Sequence, residues 1–198
     1  MIRSIPLALL ALCLGAFPAA AQSAWKPIQK VETYAISGTS GPELYASIGD
    51  NGPKLGPTRA IAHTNFTLTW TRKYEPRGDT CVLAVARPKL TITTTLPKPA
   101  KRLPEPARAH WQRFIDGITA HEAVHGDYIV DMVSKIVDAT EGLTVEGEPG
   151  CRKIRDEVIG HVGSLFQAQR QKGRDFDRVE MSNGGNVHQL ILALVNGA

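Results

Sequence analysis

His121-Glu122-Ala123-Val124-His125 holds the residue types that hydrolytic metal chemistry needs, at the spacing it needs them. The stretch has the form H-E-x-x-H. Residues four apart share one face of a helix, so both imidazoles can reach one metal ion. The glutamate beside the first histidine then stands near the metal's open position, where it can take a proton from water. Zinc peptidases are the commonest owners of this arrangement. The rival reading is a solvated helix whose histidines are ordinary polar residues. Context favours the metal: the motif lies in a strongly periodic segment, and a buried Glu122 needs a partner because an unpaired buried carboxylate is costly.

A catalytic zinc usually takes a third protein ligand and leaves its fourth position to water. The extended form H-E-x-x-H-x-x-G-x-x-H is absent, because Tyr128 and Asp131 stand where its glycine and third histidine are sought. The ligand must come from elsewhere. Asp177 and Glu180 are expected just after a second helix, near its inward face. His161 falls on that helix's apolar side, and His188 follows a glycine turn. His110 lies about three turns before His121, too far along the same helix. A lone histidine on an apolar helix face is more often a packed core residue, which ranks His161 lower.

The elements that must carry these residues can be read from periodicity. Trp111, Ile115, Ile118, Glu122, His125, Ile129, Met132 and Ile136 fall three or four apart, the stripe of one long helix. Gly142 is its expected stop. A second helix follows Cys151, with Ile154, Val158, Val162, Leu165 and Phe166 as its apolar face. Gly160 and Gly163 weaken it intrinsically, but are expected to permit close packing on the first helix. The Ser182–Asn186 stretch reads as a turn.

Upstream the period changes. Val31–Ile36 reads as a strand, Pro42–Ile48 as a short helix, and Asn51-Gly52-Pro53 with Gly56-Pro57 as a loop. Phe66–Thr71 alternates apolar and polar as a half-buried strand does. Cys81–Ala86 and Leu90–Leu96 are two further strand candidates. The expected class is α+β: a small, mostly antiparallel N-terminal sheet packed on a C-terminal pair of long helices. Residues 22–198 form one expected domain, β-rich over 22–97, a basic proline-rich linker over 98–106, and helical over 107–198.

The ends and the composition point to export. Met1-Ile2-Arg3-Ser4 is a short basic start, and Ile5–Ala16 is an apolar run too short to remain across a bilayer. Ala19-Ala20-Ala21 offers a cleavage site before Gln22, so residues 1–21 read as a secretory signal peptide. No second long apolar run follows, so no stable membrane insertion is expected after cleavage. The expected location is periplasmic or secreted. Lysine and arginine number 23 against 19 acidic residues. That excess is mild, and no basic stripe interleaved with aromatics implies nucleic acid. Cys13 would leave with the signal. Cys81 and Cys151 are then an even pair in an oxidising compartment, and the expectation is a Cys81–Cys151 disulfide worth about 2–4 kcal/mol. As metal ligands they would lack any C-x-x-C spacing.

The chain also resembles the bacterial family described as predicted secreted zinc-dependent proteases, domain of unknown function 922. The matching features are Tyr34-Ala35-Ile36-Ser37-Gly38, Thr67-Leu68-Thr69-Trp70, Cys81, Leu96-Pro97, Trp111 ten residues before the zinc motif, and Cys151. Near the C-terminus such proteins tend to carry Tyr-Asp, then Thr-x-His-Gly. Here the chain has Phe176-Asp177, then Glu180-Met181-Ser182-Asn183: the aspartate matches and its companions do not. The resemblance implies a zincin-like active-site helix and makes Asp177 the leading third ligand, with Glu180 or a displaced His188 still open.

The function expected on these grounds is an exported zinc peptidase acting on a peptide or protein substrate. Zinc would be held by His121, His125 and Asp177, with Glu122 as general base. The alternative is a non-catalytic envelope module of the same fold that binds zinc structurally or binds a protein partner. The residues set no oligomeric state.

Overall fold

The computed structural model describes residues 25–197. The expected signal segment, residues 1–21, and Cys13 lie outside the described residues. Chain order runs β1 (Ile28–Ile36), α1 (Gly41–Asn51), β2 (Lys54–Leu55), β3 (Thr58–Arg59), β4 (His63–Arg77), β5 (Thr80–Pro99), α2 (Ala107–Thr140), β6 (Thr144–Glu146), α3 (Lys153–Glu180) and α4 (Asn186–Asn196). The class is α+β, as expected.

β5 is the spine of the sheet, whose order is β1-β5-β4 with β6 also on β5. β4 and β5 form a long antiparallel hairpin closed at Gly78-Asp79, where Gly78 adopts a φ of 63°. Along Phe66–Thr71 the apolar residues are half-buried and the threonines exposed, so this face-alternating strand forms as the sequence predicts. β1, however, runs parallel to β5, with Ile28 opposite Thr91 and Ile36 opposite Pro99. The sheet is therefore mixed, and the expectation of a mostly antiparallel one is corrected. Alternation reports which face is wet; it says nothing about the direction of a neighbouring strand.

Cys81–Ala86 and Leu90–Leu96 belong to this one strand of 20 residues, not to two. Pro88 is tolerated because β5 is locally an edge there: β6 pairs only residues 80–82 and β1 only residues 91–99. Pro97 and Pro99 lie beyond the last residue paired to β4, Thr95, and so also face a single neighbour. In the gap between β6 and β1, Leu83 donates its N–H to the Leu143 carbonyl at 2.9 Å, and Ala86 donates to Glu141 Oε1 at 3.3 Å. The strand reaches Pro99, so the basic proline-rich stretch begins inside the sheet, and Leu103 within it is buried.

α2 is the second organising element, with 34 residues. Its N-terminal half buries Trp111, Phe114 and Ile118 in a core with Ile36, Leu44, Ile48, Leu96, Val187 and Leu194. Its C-terminal half buries Ile129, Met132, Val133 and Ile136 against Leu90 and Ile92 of β5. The H-E-x-x-H motif lies on the turn and a half between these two cores. α2 ends at Thr140, just before its predicted stop Gly142, which has a φ of 82°.

Two departures concern the helices. α4 was not expected. It docks through backbone-close contact, since a Cβ on Gly41 of α1 would sit 1.8 Å from the Leu194 carbonyl oxygen. Gly160 and Gly163 do not mediate the packing of α3 on α2, because a Cβ at either would meet nothing within 4 Å. The contact falls at Gly173 instead, where an added Cβ would lie 3.5 Å from the His125 ring, an ordinary packing distance. No helix among the described residues is long and apolar enough to cross a membrane.

The predicted disulfide is present. Cys81 of β5 and Cys151, just before α3, are joined across a sequence separation of 70 residues. Both are buried in a third cluster with Leu83, Ala86, Ile154 and Val158. Replacing both cysteines with serine should destabilise the fold by about 2–5 kcal/mol, from the lost constraint on the unfolded chain. Urea unfolding of the two proteins checks this. Equal midpoints would show that the bridge contributes nothing to folding.

Candidate metal centre

His121, His125 and Asp177 form the only group of metal-ligating side chains brought together among the described residues. α2 supplies the histidines one turn apart on its buried side. α3 supplies the aspartate. Asp177 and Glu180 do not follow the second helix, as the sequence reading had it, but lie in its last turns, because the helix runs on to Glu180.

Three atoms converge. His125 Nε2 lies 2.8 Å from Asp177 Oδ1, His121 Nε2 lies 3.2 Å from the same oxygen, and the two Nε2 atoms are 3.3 Å apart. Zinc bonds of about 2.0–2.1 Å in a tetrahedral site require ligand atoms about 3.3 Å apart. Two edges of the triangle match that spacing, and the third, 2.8 Å, is a hydrogen-bond distance that would lengthen around an ion. The donor set, two imidazole nitrogens and one carboxylate oxygen, is also one zinc accepts. The His121 side chain is 4% exposed and that of Asp177 43%, so the group is closed on one side and open on the other.

Several neighbours hold the imidazoles in place. Phe176 stacks on His121 at 4.7 Å between ring centroids and meets His125 and Tyr128 edge-on. Gly173 of α3 lies against the other histidine. Thr64 of β4 donates its hydroxyl to the Glu122 carbonyl at 3.2 Å, tying the sheet's edge to the motif. Glu122 is itself buried. None of these neighbours carried a sequence signal of its own except Phe176, which adjoins the aspartate.

The charges are coupled. Burial favours the neutral imidazole of His121, but Asp177, Glu122 and Glu180 together outweigh it and raise its proton affinity above the ordinary histidine value. Burial likewise penalises the charged form of Asp177. The hydrogen bonds and charges of His121 and His125 overcome that and hold its carboxyl well below the usual carboxylate range.

The remaining candidates are not part of the group. His161 is exposed on α3. His188 accepts the Gly184 N–H at 3.3 Å, near the start of α4. His110 lies beside Gly197 at the far end of α2. Glu180 is close, but to the other side of the His121 ring, with Oε2 3.6 Å from Nδ1.

This mixed-sheet α+β fold with a His-His-Asp cluster defines the structural class. By sequence, the chain belongs to the family of bacterial proteins of unknown function called domain of unknown function 922, whose family model matches residues 31–185. That description assigns no activity. Nothing among curated proteins or solved structures matches the chain.

The pKa shifts make a prediction for protein stripped of metal. A raised His121 value stabilises the fold below about pH 6.5, and this is lost as pH rises through its folded value. A lowered Asp177 value stabilises it above about pH 4, and this is lost as pH falls through its folded value. Both act together between about pH 4 and about pH 6.5. In chelator-treated protein, Asp177→Asn should therefore lower the melting temperature most in that window, and less above about pH 8. A deficit that does not vary with pH would refute the coupling.

Proposed function

We propose that this protein is an exported zinc-dependent peptidase. The observation that carries the reading is the convergence of His121 Nε2, His125 Nε2 and Asp177 Oδ1 beside a buried glutamate. His121 Nε2, His125 Nε2 and Asp177 Oδ1 would hold the ion. A zinc ion there supplies Lewis-acid chemistry, polarising a carbonyl and lowering the pKa of water toward about 7.

The chain's own residues do the rest. Glu122 accepts the proton of the attacking water and delivers it to the leaving amine nitrogen. Its burial suits that task, because a carboxylate shielded from solvent exchanges protons with the reacting atoms and not with bulk water. Phe176 excludes water from one side of the His121 ring. The exposed side of Asp177 leaves room for substrate. β4, an edge strand tied to the motif through Thr64, offers backbone groups to an extended peptide. A disulfide in a bacterial chain supports a location outside the cytoplasm, periplasmic or secreted.

Mass spectrometry of the purified chain after zinc loading should find about one equivalent of zinc in the wild type and much less in His125→Ala. Under about half an equivalent in the wild type would end the metal reading. Retained zinc in Asp177→Ala would move the third ligand elsewhere. In a peptide-library cleavage assay, Glu122→Gln should lose about 10²- to 10⁴-fold in rate while keeping its zinc. Equal cleavage by the two would remove Glu122 as the base. Zinc binding without cleavage by either would leave the non-catalytic envelope module as the reading.

A further inference from the structure

His121 has a second ring nitrogen, and its surroundings are unusual. Nδ1 is buried and has no hydrogen-bond partner. The nearest carboxylate oxygen is Glu180 Oε2 at 3.6 Å, beyond hydrogen-bond range. A cation on Nε2 changes what that nitrogen needs. The ring must then carry its proton on Nδ1, and a buried N–H without an acceptor is costly.

Glu180 is built to meet that need. Its side chain is 18% exposed. The same Oε2 accepts from Asn186 Nδ2 at 3.1 Å. Asn186 is the first residue of α4, and the turn leading to it is tight: a Cβ on Gly185 would fall 2.3 Å from the Val179 carbonyl oxygen and 2.4 Å from that of Glu180. The fourth helix thus fixes the carboxylate on the side of the ring opposite Asp177.

We propose that Glu180 is a positioning residue for the metal centre: held by Asn186, it accepts the Nδ1–H of His121 and so fixes the tautomer and ring orientation that present Nε2 to the cation. The inference rests on the proposed metal centre and goes beyond it. Sequence left Glu180 open as a third ligand. The geometry separates the roles, because Asp177 reaches both Nε2 atoms while Glu180 faces Nδ1.

The test is zinc affinity of the full chain, by competition with a chromophoric chelator, for wild type, Glu180→Ala, Glu180→Gln and Asn186→Ala. Proton–nitrogen NMR of the zinc-loaded proteins follows the His121 Nδ1–H. Glu180→Ala should weaken zinc binding about 10- to 100-fold, the usual effect of removing such an outer partner, and its Nδ1–H signal should shift or vanish by exchange. Asn186→Ala should weaken binding by a smaller factor. Glu180→Gln should stay within about threefold of wild type, since one amide oxygen has two lone pairs and can accept from both Asn186 Nδ2 and His121 Nδ1.

Failure of the wild type itself to bind zinc overturns the metal centre, and this role with it. Zinc binding by the wild type with Glu180→Ala unchanged, in affinity and in NMR, overturns the positioning role alone. A Glu180→Gln protein as weak as Glu180→Ala also overturns it, because that is the behaviour of a ligand. If Glu180→Ala does not fold, Asn186→Ala decides: unchanged affinity there overturns the proposal.

Discussion

The structure depends on one constraint: α2 must be buried along its whole length, yet it carries His121 and Glu122 in its middle. The conflict is settled by dividing the apolar burial. One core takes Trp111, Phe114 and Ile118, and another takes Ile129 to Ile136. The polar turn between them is pinned from both directions without itself supplying apolar contact. A helix held at both ends by packed side chains cannot rotate its middle, so the two imidazoles keep their facing without a loop or lid to hold them. The site is therefore set on rigid elements, which is what a coordination geometry demands.

The other wall of the site has a different origin. α3 brings Asp177, Phe176, Gly173 and Glu180 to the same place from one helix end. Each acts by size or reach. The glycine packs against the His125 ring, the phenylalanine covers the His121 ring, and the aspartate meets both Nε2 atoms from its short stem. The far end of α3 is fastened to β5 by the Cys81–Cys151 bridge. The helix is thus held at its start by a covalent bond and at its end by polar and aromatic contacts.

Much of this was legible in the chain. The H-E-x-x-H motif announced itself through residue type and spacing, and the stripe from Trp111 to Ile136 gave its helix. Cys81 and Cys151 paired as the redox argument required. Asp177 was one of several candidates by its place along the chain, and only the resemblance put it first. What escaped did so for physical reasons. Strand direction leaves no trace in alternation, so the parallel pairing of β1 was hidden. Cys81–Ala86 and Leu90–Leu96 read as two strands because the tolerance of Pro88 between them depends on a missing neighbour, which only the tertiary structure shows. α4 follows the glycine-rich turn at Asn183-Gly184-Gly185, and its apolar residues were not read as a helix. Gly160 and Gly163 were chosen for close packing by type alone, whereas the contact was decided by which face of α3 met α2.

The gap in the sheet between β6 and β1 carries a further consequence. A central strand with an uncovered side would ordinarily template a foreign strand. Successive N–H groups on one side of a strand come from alternate residues, so Ala86 and Pro88 share a side. Along that opening Leu83 donates to Leu143, Ala86 donates to Glu141, and Pro88 has no N–H to offer. The opening therefore offers no free N–H at these three positions although it is open in space. β4 shows the contrast. No strand pairs its outer side among the described residues, and the only proline in it is Pro76, near the hairpin end. The fold thus removes N–H donors from the gap in β5 and leaves unpaired the outer side of β4, the strand that Thr64 ties to Glu122.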